Sequence, residues 1–207
     1  MLMIKIKIKG FLGKISKYLK KKFKKKYKNI VLSKNKKNDC KIIFSSIKKS
    51  IISCKKCYKK SIPIVLGTTG FNYREFKQIV LFSKKIPIFF SSNFNVEFIK
   101  FFSYTKNLIN YFNKFKIKGC EIHSISKKDS PSGSSFLIKK IFEKNFYFDS
   151  IRYKNILGEH KIIFFNKKNL FKISHKILNK KCYIGGIVKA IKYIIKKKNG
   201  LYKFSDL

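Results

Sequence analysis

The residues with the greatest chemical potential lie in one segment, residues 121–134, which reads Glu-Ile-His-Ser-Ile-Ser-Lys-Lys-Asp-Ser-Pro-Ser-Gly-Ser. His123 precedes Lys127 by four residues, and the Pro-Ser-Gly-Ser turn opens a helix predicted over 134–144. The N-terminus of a helix offers free N–H groups to a carboxylate or phosphate, and an imidazole moves protons near neutral pH. The segment therefore predicts a site for an anionic substrate with proton transfer. On residue types alone, an ordinary capped helix beside a surface histidine remains an open alternative.

Glycine turns follow two predicted strands in the first half of the chain. Residues 4–9 alternate apolar and basic side chains, Gly10-Phe11-Leu12-Gly13 follows, and apolar residues then recur at helical spacing over 14–27. A buried strand over 62–66 ends at Gly67-Thr68-Thr69-Gly70. This order indicates a parallel sheet that binds its ligand where the carboxyl ends of the strands meet glycine loops. For residues 14–27, a basic helix lying on a membrane surface is the alternative.

The order of the other predicted elements divides the chain in two. Strands at 30–32, 41–44 and 86–90 alternate with helices at 46–60 and 72–84. Beyond residue 94 the pattern predicts helices at 95–115 and 134–144, strands at 119–126, 146–154, 160–166 and 169–175, a helix at 186–198 and a turn at 199–202. We therefore expect an α/β domain with a parallel sheet and a second, open-faced sheet domain.

Residues 121–134 resemble the E-x-H-H-x-x-K-x-D-x-P-S-G-T signature of the dihydrodipicolinate reductase family. Residues 67–71 are similar to the family's G-T-T-G-F cofactor loop, and residues 91–96 to its A-x-N-F-S-V hinge. Further matches recur in the family's order and spacing at Arg152, Gly158-Glu159-His160, Ile173-Ser174-His175-Lys176 and Gly200-Leu201-Tyr202. The resemblance covers nearly the whole chain, residues 4–207.

The resemblance implies a two-domain cytoplasmic oxidoreductase of lysine and diaminopimelate biosynthesis. A Rossmann-like domain, residues 1–94 plus 182–207, would bind NADPH or NADH. An α+β domain on an open mixed sheet, residues 95–181, would bind the substrate and form the oligomer. Family enzymes transfer a hydride from the nicotinamide to a cyclic dicarboxylate, 4-hydroxy-tetrahydrodipicolinate or dihydrodipicolinate, to give tetrahydrodipicolinate. They are usually homotetramers.

The resemblance also implies roles for particular residues. His123 would donate or accept the proton, and Lys127 would be the second catalytic donor. Ser124, Gly133 and Ser134 would bind the substrate. The cofactor would contact a glycine turn and two later loops, which comprise Gly10, Phe11, Leu12, Gly13, Lys14, Ile15, Gly67, Thr68, Thr69, Ser91, Ser92, Asn93 and Phe94.

Several positions depart from the family pattern. Ser124 replaces a second histidine, so one donor to the substrate is lost or becomes a hydroxyl, whereas Ser134 replaces a threonine and keeps the hydroxyl. Ser16 replaces the last glycine of the dinucleotide fingerprint, where the helix must pack closely on the strand. His160 and His175 match family positions, and we expect both to be structural and hydrogen-bonded within the second sheet. An inactive member of the same fold, kept for a structural role, remains an alternative.

The charge of the chain at first indicates a nucleic-acid partner, because 51 Lys and Arg residues oppose 9 acids and give a net charge of +42. However, Arg74 and Arg152 are the only arginines, whereas proteins that read bases and phosphates rely on the arginine fork. Alanine occurs once and tryptophan never, which indicates that an AT-rich genome produced the lysine excess. We therefore expect no specific nucleic-acid partner, with a basic nucleic-acid-binding protein as the alternative.

The region after the second strand bears on the choice of cofactor. Domains that prefer NADH usually place an acid at the end of this strand, where it binds the ribose hydroxyl. No acid occurs at 32–35, and Asp39, the only acid in the first 60 residues, lies beyond the predicted strand end. Lys34, Lys36 and Lys37 surround the position instead. The sequence thus predicts that NADPH is used at least as well as NADH.

The apolar runs and the cysteines bear on location. No run approaches the roughly 20 residues that span a bilayer, and the N-terminus lacks a signal-peptide core. Five cysteines at irregular spacing are typical of reduced thiols in a cytoplasmic protein. Cys54 and Cys57 have the C-x-x-C spacing of a zinc site but no second pair. We expect two ordinary helix cysteines and no metal.

Overall fold

The structure is a computed structural model that describes residues 3–10, 14–33, 38–127, 129–142 and 146–207. The chain forms two compact units, one comprising Met1–Phe94 with Tyr183–Leu207 and the other Asn95–Cys182. In chain order the elements are β1 (Ile4–Lys9), α1 (Lys14–Lys25), β2 (Ile30–Leu32), β3 (Cys40–Ile43), α2 (Ile47–Lys59), β4 (Ile64–Leu66), α3 (Tyr73–Ser83), β5 (Pro87–Phe90), α4 (Val96–Tyr111), β6 (Lys116–Ser124), α5 (Gly133–Ile141), β7 (Tyr147–Tyr153), β8 (Glu159–Phe165), β9 (Leu170–Lys176), α6 (Cys182–Ile194) and β10 (Gly200–Tyr202), followed by a short 3₁₀ helix (Phe204–Asp206).

The first unit contains a six-stranded parallel sheet in the order β2-β1-β3-β4-β5-β10. The alternating sequence of β1 buries its isoleucines and exposes its lysines, whereas β4 is buried along its whole length. The chain passes from β1 to β2 on one side and then to β3 on the other, so a topological switch point lies between β1 and β3. Open α/β sheets bind ligands at this place, outside the carboxyl ends of the strands.

The second unit contains a four-stranded mixed sheet in the order β7-β6-β8-β9. Strands β6 and β7 are parallel, whereas β6, β8 and β9 pair in antiparallel register. One face of the sheet packs with α4 and α5 around a core that includes Phe98, Ile138, Ile162 and Phe164. The expected fold class, a Rossmann-like parallel-sheet domain with a second α+β domain on an open mixed sheet, is confirmed.

Several elements differ from their predicted bounds, and two of these differences have a clear structural reason. The last helix begins at Cys182 rather than at residue 186. Gly186 lies inside this helix, and a Cβ at this position would overlap the carbonyl oxygen of Phe94. Glycine here permits close packing and does not start the helix. The predicted turn at 199–202 contains strand β10, which pairs with β5. That pairing joins residues far apart in sequence, so local pattern alone does not reveal it.

The C-x-x-C pair of the sequence belongs to the core of the first unit. Cys54 and Cys57 lie on α2 and pack with Ile43, Ile64 and other apolar side chains. Burial raises the pKa of the Cys54 thiol to about 12. All five cysteines are free thiols. Within the described residues, no helix is both long enough and apolar enough to cross a bilayer.

Candidate active site

The carboxyl ends of β1, β3 and β4 converge at the switch point of the first unit. Gly10, which has a φ of +92°, lies so close to β3 that a Cβ would overlap the carbonyl oxygen of Phe44. At Gly67 a Cβ would overlap the Phe44 ring. Glycine at these two positions therefore lets three strand ends approach one another, which is the arrangement that admits a dinucleotide.

A cleft of about 430 Å³ lies beside these strand ends and is lined by Phe44, Ser45, Ser46, Ile47, Gly67, Thr68 and Thr69. The Thr68 hydroxyl lies 2.7 Å from the Ser50 hydroxyl and donates to the Ser45 carbonyl at 3.1 Å. This network ties the end of β4 to the start of α2. Thr68 is thus a loop-fixing residue whose side chain is already engaged, whereas Thr69 lines the cleft.

Ser16, which occupies the position of the missing fingerprint glycine, is buried in the first turns of α1. Its hydroxyl donates to the carbonyl oxygen of Gly10 at 2.8 Å. The substitution therefore fits between helix and strand and adds a hydrogen bond between them. Of the other residues predicted in this turn, Ile15 is partly buried in α1, and Lys14 begins the helix. Phe11, Leu12 and Gly13 lie outside the described residues.

The Ser91–Phe94 loop follows β5 and turns on itself. The Ser91 hydroxyl donates to the Asn93 carbonyl and accepts from the Asn93 N–H. Phe94 is buried, with its ring against Phe44, Phe89 and Phe204. Its side chain therefore belongs to the core. The Ser92 hydroxyl is buried and has no partner among the described residues.

In the second unit, strand β6 brings the titratable groups together. Glu121 and His123 are two residues apart and so point to the same face of the sheet, toward the helices. Glu121 is opposite His160 of β8, and His123 is opposite Arg152 of β7. The register of three strands thus gathers four polar side chains that are spread over 40 positions of the sequence, from 121 to 160.

Glu121 is a fully buried carboxylate surrounded by donors. Its Oε1 accepts from the Ser132 N–H at 2.9 Å and from the Arg152 guanidinium at 3.3 Å. Its Oε2 accepts from the Ser135 hydroxyl at 2.5 Å and faces Nε2 of His123 at 3.3 Å. Burial by itself would raise the pKa of Glu121, but the neighbouring His123 and the hydrogen bonds from Ser132 and Ser135 outweigh it and hold the pKa well below the ordinary value. The group is therefore ionised.

His123 is 7% exposed and lies between Glu121 and Gly158. A Cβ on Gly158 would lie 2.8 Å from Cε1 and 3.1 Å from Nδ1 of the imidazole. The missing side chain at position 158 therefore makes room for one edge of the ring, while the other edge faces the carboxylate.

The imidazoles of His160 and His175 continue from His123 into the core, with centroid separations of 5.4 and 6.0 Å. Burial and the neighbouring His123 lower the pKa of His160 to about 3. His175 Nε2 lies 3.1 Å from the Asn95 amide nitrogen. Neither ring nitrogen of His160 has a hydrogen-bond partner among the described residues, so its expected hydrogen bonding is wrong. Its ring packs instead against Phe98 at 4.8 Å.

Lys127 lies just beyond β6, where its Nζ contacts both carboxylate oxygens of Asp129, at 2.8 and 3.1 Å. Desolvation opposes the ionisation of Asp129, but Lys127 and the backbone of Gly133 outweigh it and lower the pKa of this carboxyl. The Asp129 carbonyl oxygen also accepts from Arg152. The cation predicted to bind the substrate is thus paired with a carboxylate of the same chain.

Helix α5 begins at Gly133, with Ser132 as its N-cap. The Ser132 hydroxyl accepts from the Ser135 N–H at 3.2 Å, and Ser134 is buried. The N–H groups of the first turn lie at the positive end of the helix dipole. Ser124 faces the other side of β6 from His123, and its hydroxyl lies 2.9 Å from that of Ser126. Its part in substrate binding stays a prediction.

Glu121, His123 and His160 also form, within the described chain, a group whose ligand atoms lie within 4.8 Å of one another, as in a metal site. Both oxygens of Glu121 already accept hydrogen bonds from protein donors. A cation would have to compete with the guanidinium of Arg152 for this carboxylate.

The fold, the glycine turns of the first unit and the polar side chains of the second unit together define a class of protein. A parallel sheet with glycine turns at its switch point is the fold of nucleotide-dependent oxidoreductases, and the second unit contains a buried histidine–carboxylate pair. Two family models match the chain, "Dihydrodipicolinate reductase, N-terminus" over residues 16–94 and "Dihydrodipicolinate reductase, C-terminus" over residues 99–207. The chain belongs to the dihydrodipicolinate reductase family, whose members use a nicotinamide nucleotide.

Individual relatives agree with this assignment. Over 177 residues the chain is 39% identical to the 4-hydroxy-tetrahydrodipicolinate reductase of Wigglesworthia glossinidia brevipalpis, covering 82% of this chain and 67% of that protein. It is 37% identical over 217 residues to the enzyme of the same name from Buchnera aphidicola subsp. Cinara cedri, covering 90% and 80%. The dipicolinate-bound dihydrodipicolinate reductase from Paenisporosarcina sp. TG-14 has a TM-score of 0.76 at 17% identity, covers 98% of both chains and shares the fold.

Three sets of site residues were missed by the sequence prediction. Glu121 lies two positions before His123 in a strand, so period-two alternation could have paired them. Arg152 joins the site through the pairing of β6 with β7, which no local pattern reveals. Residues 44–46 line the cleft beside the predicted Gly67 loop because β3 and β4 are neighbours.

Proposed function

We propose that this chain catalyses the reduction of 4-hydroxy-tetrahydrodipicolinate to tetrahydrodipicolinate, with NADPH or NADH as the hydride donor, in the diaminopimelate route to lysine. The observation that carries the proposal is the burial of the Glu121–His123 pair in the same unit as Lys127 and the N-terminus of α5. The relatives that share this activity by name support the choice of substrate.

The substrate is a dianion, and the second unit offers it complementary groups. The Lys127 ammonium and the N–H groups of Gly133 and Ser134 would bind a carboxylate, since cations and helix N-termini stabilise anions. The Ser124 hydroxyl would be a further donor. His123 would deliver a proton to the ring carbon next to the one that receives the hydride, with Lys127 as the second donor. Residues 95–181 would thus form the substrate-binding domain.

Residues 1–94 and 182–207 would form the dinucleotide-binding domain, and the residues present fit such a group. The Gly10–Ile15 turn leads into α1, whose N-terminus would face the pyrophosphate. The Gly67–Thr69 loop and the backbone of Ser91–Phe94 would lie along the nicotinamide side, with residues 44–46 as neighbours in the cleft. When bound, the nicotinamide supplies the hydride.

Asp39 supports the proposal that NADPH is used at least as well as NADH. Its carboxylate accepts from the Lys5 N–H at 2.6 Å, and its own N–H donates to the Lys5 carbonyl at 2.8 Å. These contacts hold Asp39 at the start of β3, near the amino end of β1, whereas the Gly10 turn lies at the carboxyl end of β1. Because its carboxylate is already engaged with the backbone of β1, Asp39 is a poor acceptor for a ribose hydroxyl near the end of β2. Lys34, Lys36 and Lys37, which would attract the extra phosphate, lie outside the described residues.

The open face of the second sheet would form the contact between subunits of a homotetramer. Its exposed side chains include Tyr147, Ile151, Tyr153 and Leu170. Two acids on this face are paired with lysines, Asp149 with Lys118 and Glu159 with Lys161 and Lys176. Apolar side chains with locally compensated charge are what a subunit interface requires. Free thiols at all five cysteines fit a cytoplasmic location.

The test is a reductase assay with the purified chain. The substrate is generated freshly by the preceding synthase, and the loss of NADPH absorbance is followed on its addition. We expect turnover that depends on both substrate and NADPH, with kcat/KM for NADPH at least equal to that for NADH. The NADPH advantage should shrink at high ionic strength, because salt screens the lysines. No turnover with either nucleotide would overturn the proposal and favour an inactive member of the fold.

A further inference from the structure

Glu121 contacts both parts of the proposed substrate site, the first turn of α5 and the imidazole of His123. Through Oε1 the carboxylate accepts from the Ser132 N–H, and through Oε2 it accepts from the Ser135 hydroxyl, so it holds the first turn of α5. The same Oε2 faces Nε2 of His123 at 3.3 Å. One buried anion therefore touches both the helix that would bind the substrate carboxylate and the imidazole that would move the proton.

The two edges of the His123 ring have different surroundings. Nε2 is buried and lies 3.3 Å from Oε2 of Glu121, an ion-pair contact that does not have hydrogen-bond geometry. The edge with Cε1 and Nδ1 lies against Gly158, where a Cβ would come within 2.8 Å of the ring, so this edge faces away from the carboxylate and is accommodated by the glycine. A carboxylate attracts the N–H form of the nitrogen it faces, so a proton on Nε2 leaves Nδ1 as the nitrogen that exchanges a proton with a ligand.

We propose that Glu121 is a positioning residue for His123, which fixes the orientation of the imidazole and keeps the proton on Nε2 so that Nδ1 serves the reaction. This inference rests on the proposed function, in which His123 is the proton donor. Glu121 does not touch the substrate. Its charge also pairs with Arg152, whose guanidinium lies 3.3 Å from Oε1.

The surrounding donors explain why a carboxylate, and not an amide, is needed at position 121. Both oxygens face only donors: Ser132 and Arg152 on one side, Ser135 and His123 on the other. A glutamine would place its NH₂ group against one of these pairs. The imidazole would then lose its acceptor or the helix would lose its anchor.

The experiment combines kinetics with a direct observation of the ring. In E121Q we expect kcat to fall by about 100-fold, the scale of a misplaced general acid, with the Kd for NADPH unchanged. T105V is the matched control, because it removes a buried hydroxyl whose bond to the Phe101 carbonyl lies inside α4 of the same unit. T105V should retain wild-type kcat. E121Q within about 3-fold of wild type in kcat would overturn the proposal.

Nitrogen-15 NMR of the histidine rings separates positioning from a merely structural role. The His123 signals are assigned by their absence in H123Q. We expect the Nε2–H tautomer in the neutral ring of the wild-type protein and the loss of this single tautomer in E121Q. An inactive E121Q with an unchanged His123 spectrum would show that Glu121 only anchors α5, and would also overturn the proposal.

Two provisions keep the test decisive. If E121Q does not fold, E121D replaces it, because aspartate keeps the charge but withdraws it from Nε2; the same change of tautomer is expected. If the wild-type protein shows no turnover, the proposed function fails, while the comparison of ring spectra still decides whether Glu121 sets the tautomer of His123.

Discussion

Gly158 and His123 are packed so closely that a methyl group on Gly158 would lie 2.8 Å from Cε1 of the imidazole. The φ of Gly158, +154°, is also one that L side chains rarely adopt. We expect G158A to displace the ring from Glu121 and to lower kcat by about 10-fold or more, with NADPH binding unchanged. G185A is the matched control, since among the described residues no atom outside its chain neighbours and the backbone of its own helix lies within 4 Å of the new methyl group. A G158A enzyme with wild-type kcat would show that the ring does not depend on this space.

The Asp129 carboxylate contacts both the Lys127 ammonium and, through the backbone of Gly133, the start of α5, so we expect it to compete with a substrate carboxylate. D129N should weaken this internal contact and free Lys127 for a substrate carboxylate. We expect the KM for the dicarboxylate, and the Kd of dipicolinate as an inert dianion, to fall by about 3-fold or more. Weaker binding of dipicolinate to D129N, measured by calorimetry, would mean that Asp129 orients Lys127 for the substrate instead of competing with it.

The buried His160 makes the protein sensitive to acid. Burial lowers the pKa of His160 to about 3, so as the pH falls through 6.5 the unfolded chain binds a proton at this residue and the folded chain does not. The free energy of unfolding therefore falls with decreasing pH, by up to about 1.4 kcal/mol per pH unit for this group, until the pH reaches its folded pKa. His175, whose pKa burial also lowers, acts in the same direction.

Urea unfolding between pH 7.5 and about pH 5 measures this slope. H160F keeps an aromatic ring against Phe98 and should flatten the dependence, because it removes the titrating group. A slope equal to that of the wild type would show that His160 is protonated in the folded protein.

Much of the fold follows from local pattern. The alternation of Ile and Lys predicts β1 at residues 4–9, where the structure has it, because one face of that strand is buried and the other exposed. The pairing of strands that are distant in sequence does not follow from local pattern. Strand β10 forms by pairing with β5, which is distant in sequence. The neighbours of His123 in β7 and β8 depend on the register between these strands and β6, which the sequence of one segment does not reveal.

The candidate site was predictable where one segment holds several of its members. His123, Lys127 and the start of α5 lie within eleven positions, and the structure keeps them in one unit. His160 was misjudged because a polar residue in a strand suggests a hydrogen bond, whereas this one is held by aromatic packing. The ring of Phe94 lies in the core between Phe44 and Phe204, so its predicted contact with the cofactor stays a prediction for the backbone of this residue.

The three buried thiols should be unreactive in the native protein. Burial raises the pKa of Cys40, Cys54 and Cys57, so little thiolate is present at neutral pH, whereas Cys120 and Cys182 are partly exposed. With a chromogenic disulfide reagent, we expect the three buried thiols to react at least about 100-fold more slowly than in the denatured chain. Added zinc should leave the Tm unchanged. A zinc-dependent rise in Tm that C54S abolishes would establish a metal role for the pair.

The central claim is that His123 and Lys127 perform proton transfer and substrate binding in this chain, and steady-state turnover of H123Q and K127A tests it most directly. Each variant is compared with wild type in NADPH oxidation driven by 4-hydroxy-tetrahydrodipicolinate, with NADPH affinity measured separately by fluorescence. We expect kcat to fall by at least about 100-fold in each variant, with the Kd for NADPH unchanged. Near-normal kcat in either variant would contradict the assignment of that residue to the reaction.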